Sequence, residues 1–188
     1  MHEAVRERVR TDAAPRAAGV LEADAGDAMT AWAKQGTRAP DAVVFVDFDG
    51  VLNDDEWLRR TAHEMSPTHV ARLNDLCLKA GAAVVVSSGW RCFTALDDLR
   101  ALLSRAGLTV PVPVLGAVEC DCDPDCGRAK HSERWLDAHP EVRRWVVLDD
   151  EYPWLGPKWR GRVVMTDGAV GFTDADAARA LAILTEGR

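Results

Sequence analysis

The sequence contains no long apolar run and no excess of positive charge. None of its apolar stretches approaches the ~18 to 20 residues that span a bilayer, so a transmembrane helix is not expected. Lys and Arg number 23 and Asp and Glu number 30, which gives a formal net charge of −7 at pH 7. Such a chain is a poor non-specific binder of nucleic acid, although a local basic site can still form. Residues 1–8 contain acids and no apolar core region, so we expect no signal peptide and a cytoplasmic location.

Cysteine is also scarce, with five residues. A disulfide framework is not expected in a cytosolic chain of 188 residues. Cys77 and Cys92 lie in segments with helical patterning, and we expect both to be buried free thiols. The other thiols form one cluster, Cys120, Cys122 and Cys126. With His131 they are either zinc ligands or incidental thiols in an exposed loop, and the uncommon C-x-C-x3-C-x4-H spacing favours the loop.

The composition divides the chain near residue 40. Residues 1–40 contain few large apolar residues, so we predict an N-terminal extension that is helical or partly disordered, followed by one domain over 41–188. In that domain apolar strands alternate with amphipathic helices, which predicts an α/β fold with a mainly parallel sheet. The predicted strands are 43–47, 83–87, 110–115, 144–148 and 162–166, and the predicted helices are 67–80, 93–105, 130–138 and one that begins after Thr173. Two prolines favour an edge position for the third strand, and Phe93 is expected to be buried.

The strongest functional signal is the segment Val43-Val-Phe-Val-Asp-Phe-Asp-Gly-Val-Leu-Asn53. A buried strand ends there at Asp47 and Asp49, which point the same way in an extended chain because they are two residues apart. Ligand sites of open α/β sheets lie at the carboxyl ends of the strands. Two carboxylates held together repel each other unless a cation or a shared proton intervenes, and Mg²⁺ is the simplest explanation.

Three later segments complete a pattern. They are Val84-Val-Val-Ser-Ser-Gly-Trp-Arg91, the basic pair Arg128 and Lys130, and Val146-Val-Leu-Asp-Asp-Glu151. In order and spacing the four segments resemble the motifs of the haloacid dehalogenase (HAD) superfamily, whose members are mostly phosphatases and phosphotransferases. With Gly171-Phe-Thr173, they are most similar to a small, minimally capped branch that includes HAD domains of Swiss Army knife RNA-repair proteins. The resemblance covers roughly residues 42–185 and implies a three-layer Rossmann-like fold.

The resemblance implies a catalytic role for several matching residues. Asp47 would attack phosphorus and form an aspartyl-phosphate. Asp49 would protonate the leaving oxygen and later deprotonate the hydrolytic water. Ser87 would donate a hydrogen bond to the phosphate, and either Lys130, which we prefer, or Arg128 would balance the charge of the transition state.

The same resemblance implies a magnesium site and a substrate site. Mg²⁺ would be held by Asp47, the Asp49 carbonyl and Asp149, with Asp150 as a further ligand or as the residue that orients a metal-bound water. Residues expected to contact the substrate are Gly50, Ser88, Arg91 and Arg128. The glycine would let the backbone turn sharply beside the phosphate.

The expected function is a Mg²⁺-dependent phosphohydrolase with a phosphorylated substrate and no membrane partner. That substrate is a nucleic-acid end, a nucleotide or a small metabolite. Residues 53–66 and 107–127 leave little room for a folded cap, and an open site suits a bulky substrate. Trp90, Trp154 and Trp159 either stack on a base or simply pack in the core. The alternatives are a small-metabolite phosphatase and a non-catalytic binding or regulatory module with the same fold.

Overall fold

The computed structural model describes residues 40–61, 64–109, 113–118, 127–151 and 156–186. In this part of the chain, five strands form one parallel sheet in the order β3-β2-β1-β4-β5. The strands are β1 (Ala42–Val46), β2 (Ala83–Val86), β3 (Val114–Ala117), β4 (Arg144–Asp149) and β5 (Val163–Met165). β1 is central and buried throughout its length, which explains why it is apolar on both faces.

Helices cover both faces of the sheet. They are α1 (Asp55–Thr61), α2 (Pro67–Ala80), α3 (Leu96–Arg105), α4 (Arg128–Ala138) and α5 (Asp174–Thr185), with 3₁₀ turns at Gly89–Cys92 and Pro157–Trp159. Val44 and Val46 of β1 belong to the core that α2, α3 and α5 complete. Phe45 faces the other way and packs edge-on against Trp135 of α4 and Trp159, with ring centroids 5.6 and 6.2 Å apart. The predicted three-layer Rossmann-like fold is therefore confirmed.

Local sequence signals set the ends of several helices. Pro67 occupies the first turn of α2, and Gly81 ends the helix with a φ of 64° while its N–H caps the Cys77 carbonyl. The predicted α2 core residues Val70, Leu73 and Leu76 are buried. β3 lies at a sheet edge directly after Pro113, as the proline pattern predicts; residues 110–112 of that predicted strand lie outside the described part.

The segment after β2 differs from the prediction. The Ser88 Oγ accepts a hydrogen bond from the Trp90 N–H and begins a 3₁₀ turn, so α3 starts only at Leu96. Phe93 lies between the two helices and is 45% exposed, so the prediction that it is buried is wrong. Cys77 is a buried free thiol, and burial raises its pKa to about 12, but Cys92 is disulfide-bonded, so the prediction of a free thiol there is wrong.

Asp54 attaches α1, a helix that the sequence patterns did not predict, to the rest of the domain. Its Oδ1 accepts the Trp57 N–H at 2.7 Å, and its Oδ2 lies 3.0 Å from His69 Nε2. Burial alone raises the pKa of Asp54, but the hydrogen bonds from His69 and Trp57 outweigh it and lower the pKa. His69 also contacts the Phe172 carbonyl at 3.1 Å, so this pair joins α1, α2 and the segment before α5.

Two of the predictions concern residues outside the described part of the chain. The predicted extension and the thiol cluster fall on residues 1–39 and 119–126, which lie outside the described part, so the domain boundary near residue 40 stays a prediction. Among the described residues, no helix has both the length and the apolar character needed to cross a membrane.

A capping box begins α5. The Thr173 Oγ1 accepts the Asp176 N–H at 3.2 Å, and the Asp176 carboxylate accepts the Thr173 N–H at 2.9 Å. Thr173→Ala removes one of these two bonds, so we expect a loss of about 1 kcal/mol in the free energy of unfolding, measured by urea denaturation. Thr185→Ala at the other end of the same helix is the matched control and should cost less. Equal losses would show that the box adds nothing.

Candidate active site

The strand register brings the ends of three strands to one edge of the sheet. Val46 is level with Val86 on one side and with Leu148 on the other. Asp47, Ser87 and Asp149 stand next to or at these positions. Backbone hydrogen bonds continue past the strand ends: the Asp47 N–H donates to the Leu148 carbonyl at 3.0 Å, and the Ser87 N–H donates to the Val46 carbonyl at 2.9 Å. Backbone pairing within the sheet therefore fixes the backbone positions of Asp47 and Ser87.

The backbone turns sharply after β1. The Phe48 carbonyl accepts three N–H groups, those of residues 51, 52 and 53, while the Gly50 N–H donates to the Asn53 carbonyl at 2.7 Å. Gly50 has a φ of +71°, and the Thr166 hydroxyl holds its carbonyl at 2.8 Å. A Cβ at this position would overlap the carboxylate of Asp150, so glycine is required for two separate reasons.

Three carboxylates gather where this turn meets the end of β4. Oxygens of Asp47, Asp149 and Asp150 lie within 4.8 Å of one another. Asp149 is fully buried and Asp47 is 4% exposed, so their mutual repulsion is poorly screened by solvent. A set of hard oxygen donors at this spacing suits a divalent cation such as Mg²⁺. The cluster could therefore hold a metal ion, as the sequence predicts.

Arg128, the first residue of α4, contacts the same cluster. Its NH1 group donates to the Asp47 carboxylate and lies 3.0 Å from Asp149 Oδ2, while its NH2 group donates to Glu151 Oε2 at 2.7 Å. Burial alone lowers the pKa of Arg128, but the charges of Asp47 and Asp149 outweigh it and hold the pKa above its ordinary value. A permanently charged guanidinium thus lies beside the buried acids.

The two serines after β2 have different surroundings. The Ser87 Oγ is fully buried and has no hydrogen-bond partner among the described residues. Buried hydroxyls nearly always have a partner, so this one is suited to a bound ligand. The Ser88 Oγ instead accepts the Trp90 N–H. Arg91 donates to the carbonyls of both serines, at 3.2 and 2.6 Å, and therefore supports the loop backbone.

The remaining predicted residues lie around this centre. Asp49 is partly buried, and its Oδ2 accepts the indole N–H of Trp90 at 2.9 Å. Lys130 is exposed on the first turn of α4, two residues after Arg128. His131, the fourth candidate zinc ligand, is buried and lies 3.2 Å from an Arg91 nitrogen through its Nδ1. Trp159 is buried in the core, whereas Trp154 lies outside the described residues.

Sequence reasoning missed three contributors to the site. Glu151 contacts Arg128, and its place as the third of three consecutive acids that begin at the end of β4 was a signal that could have indicated it. Thr166 holds the turn at Gly50, but a hydroxyl at the end of β5 carries no distinctive signal. Trp90 was considered only for stacking or packing, and its bond to Asp49 joins residues 41 positions apart.

Comparison with protein families agrees with this geometry. The family described as the HAD domain in Swiss Army Knife RNA repair proteins matches residues 43–177, which is more than half of the chain. The chain belongs to this HAD family. Searches of curated proteins and of solved structures returned no match.

Family membership also limits the class of chemistry. A HAD domain supports a hydrolase that acts on a phosphorylated substrate, and the acidic cluster of Asp47, Asp149 and Asp150 agrees with the use of a divalent metal. All four predicted motifs fall within the matched residues 43–177. The resemblance of the sequence to the HAD superfamily is thereby confirmed.

Gly50 offers a test of the acidic cluster. A cation that binds only the folded protein raises its melting temperature, so Mg²⁺ should stabilise the native chain. In Gly50→Ala this Mg²⁺-dependent rise should shrink, because the new methyl group displaces the Asp150 carboxylate. Gly81→Ala is the matched control, since Gly81 also has a positive φ but no atom of the described residues beyond its immediate surroundings lies within 4 Å of its added Cβ. Both variants should lose about 1–2 kcal/mol to strain, and an unchanged Mg²⁺ response in Gly50→Ala would contradict the site.

Proposed function

We propose that this HAD domain is a Mg²⁺-dependent phosphohydrolase that cleaves phosphate monoesters through an aspartyl-phosphate on Asp47. One observation carries the proposal: a buried carboxylate at the end of the central strand lies beside two further acids and a guanidinium. Phosphate monoesters react extremely slowly unaided, and such a group of charges suits the stabilisation of a phosphoryl transition state.

In the first step an oxygen of Asp47 attacks phosphorus, and the bond from phosphorus to the leaving oxygen breaks. The Phe48 N–H donates to Asp47 Oδ1 at 2.7 Å and fixes the plane of this carboxylate. Asp49 gives its proton to the leaving oxygen, so an alcohol departs. In the second step Asp49 takes a proton from water, the water oxygen attacks phosphorus, and inorganic phosphate leaves while Asp47 is restored.

Charge balance and phosphate binding come from two other residues. We assign the basic role to Arg128, because it already contacts Asp47 and Asp149. Lys130, exposed two residues further along the same turn of α4, is the alternative that the sequence favoured. The Ser87 hydroxyl, buried at the same sheet edge, would donate to a phosphate oxygen, with Ser88 and the Gly50 turn nearby.

Magnesium fits the residues present at this edge. Asp47, the Asp49 carbonyl, Asp149 and Asp150 would hold the ion, which when bound lowers the repulsion between the nucleophile and the phosphate. The donor set is entirely oxygen, as Mg²⁺ requires.

We favour a nucleic-acid end or a nucleotide as the substrate. The family description names RNA repair proteins, and this supports a polynucleotide substrate. The net charge of −7 favours the alternative, a small sugar or nucleotide phosphate. A binding or regulatory module without turnover is the third candidate. A preference for phosphorylated oligonucleotides that weakens as salt is added would support a polynucleotide substrate. Contacts between the protein and backbone phosphates release counterions, so added salt weakens such binding.

Asp47→Asn tests the nucleophile. The amide cannot attack phosphorus, so the phosphatase rate in Mg²⁺ should fall by at least ~10²-fold, the range that single transition-state groups supply. Asp75→Asn, an exposed acid on α2, is the matched control and should keep the native rate. EDTA should abolish the native activity and added Mg²⁺ should restore it. Full activity in Asp47→Asn would remove the mechanism.

A pair of alanine variants identifies the basic residue. Arg128→Ala should lower kcat by ~10²-fold or more, because it removes the guanidinium beside the buried carboxylates. Lys130→Ala should keep most of the activity, since Lys130 is exposed. Steady-state rates on one monoester, with circular dichroism to confirm folding, distinguish the two. The reverse order of losses would assign the role to Lys130.

A further inference from the structure

Trp90 links the loop after β2 to the loop after β1. It lies in the 3₁₀ turn Gly89–Cys92 and is 8% exposed. Its indole Nε1 donates to Asp49 Oδ2 at 2.9 Å, and its ring packs edge-on against Phe48 with centroids 5.7 Å apart. The polar atom of this largely buried side chain is thus directed at one carboxylate of the proposed site.

The backbone of Trp90 is itself held firmly. Its N–H donates to the Ser88 Oγ at 3.3 Å, and its carbonyl accepts the N–H groups of Phe93 and Thr94 at 3.0 and 2.9 Å. The hydrogen bonds of its backbone therefore hold the indole in place beside Asp49. A group whose own orientation is locked in this way can orient a catalytic neighbour with little loss of freedom during the reaction.

An indole N–H can only donate a hydrogen bond. Its bond to Oδ2 fixes the plane of the Asp49 carboxyl group and favours Oδ1 as the oxygen that carries a proton, since an O–H directed at the indole would oppose another donor. We propose that Trp90 is a positioning residue that orients Asp49 so that its proton is delivered to the leaving oxygen. The inference rests on the proposed function, because it assumes that Asp49 is the general acid.

This role predicts a dependence on the leaving group. An alkoxide is a poor leaving group and needs a proton as the bond to phosphorus breaks, whereas a nitrophenolate leaves without one. A well-placed general acid typically contributes ~10²- to 10⁴-fold. Loss of its orientation should therefore slow the first step, transfer of the phosphoryl group to Asp47, far more for alkyl phosphates than for nitrophenyl phosphate. Damage to packing alone would slow both substrates alike.

Trp90→Phe tests this on the full chain in Mg²⁺, with glycerol 2-phosphate and p-nitrophenyl phosphate as substrates. The ring that packs on Phe48 is retained and the donor is lost. We expect kcat/KM, which reports the steps up to departure of the leaving group and not the later hydrolysis that both substrates share, to fall ~10- to 100-fold for glycerol 2-phosphate, a part of what a general acid supplies, and to change by less than about 3-fold for p-nitrophenyl phosphate. In Asp49→Ala, which has no carboxyl group to orient, adding Trp90→Phe should cause no further selective loss.

Trp159→Phe is the matched control. Trp159 is also buried and also donates its indole N–H to a carboxylate, Glu133 Oε1 at 3.1 Å, but it packs on Phe45 within the core. Its replacement should affect both substrates equally.

Three results distinguish a failure of the positioning role of Trp90 from a failure of the proposed function. Equal losses of kcat/KM on both substrates in a folded Trp90→Phe protein would overturn the positioning role alone. A native protein inactive on both substrates and on phosphorylated oligonucleotides and nucleotides would overturn the proposed function and this inference with it. If Trp90→Phe does not fold, NMR on the ¹⁵N-labelled native chain replaces it: Asp49→Asn should move the Trp90 indole N–H resonance, and an unmoved resonance would overturn the inference.

Discussion

Mutual repulsion among Asp47, Asp149 and Asp150 is the constraint around which this domain is arranged. Three acids within 4.8 Å of one another, two of them nearly or fully buried, destabilise the fold unless positive charge is brought close. Arg128 supplies part of that charge from the start of α4. The same acids that destabilise the folded state are the ones that would supply the nucleophile and the metal ligands in the proposed reaction.

The parallel register makes this concentration of charge geometrically inevitable. β1 lies between β2 and β4, and the three strands end within one residue of the same level. Residues that follow these strands have to meet, whatever the loops do afterwards. Hydrophobic burial of the strands on both faces, by Phe45 on one side and Val44 and Val46 on the other, therefore determines where the polar groups stand.

Much of this arrangement could be predicted from the sequence because its signals are local. The apolar run before Asp47, the proline and glycine at the ends of α2, and the threonine before α5 each act within a few residues. The spacing of apolar residues and the capping residues at helix ends are enough to predict where such helices and strands lie. Convergence of the strand ends then follows from topology alone.

The features that could not be predicted depend on contacts between distant parts of the chain. Such contacts leave no periodic pattern in the sequence. The bond from Trp90 to Asp49 spans 41 residues, and the contact between Arg128 and Asp47 spans 81. The exposure of Phe93 was not predicted because Phe93 lies three residues before Leu96 and therefore fits the helical spacing of α3. The contact of Arg128 with Asp47 is likewise decided by the orientation of α4, which spacing cannot reveal.

The close approach of Gly50 to Asp150 bears on how this sequence can diversify. The two residues belong to different loops, yet one occupies the volume that any side chain at the other would need. A substitution at one of these positions therefore depends on which residue occupies the other. A lineage that acquired a side chain at position 50 would first have to shorten or relocate the acid at position 150, so the two positions should be exchanged together or not at all.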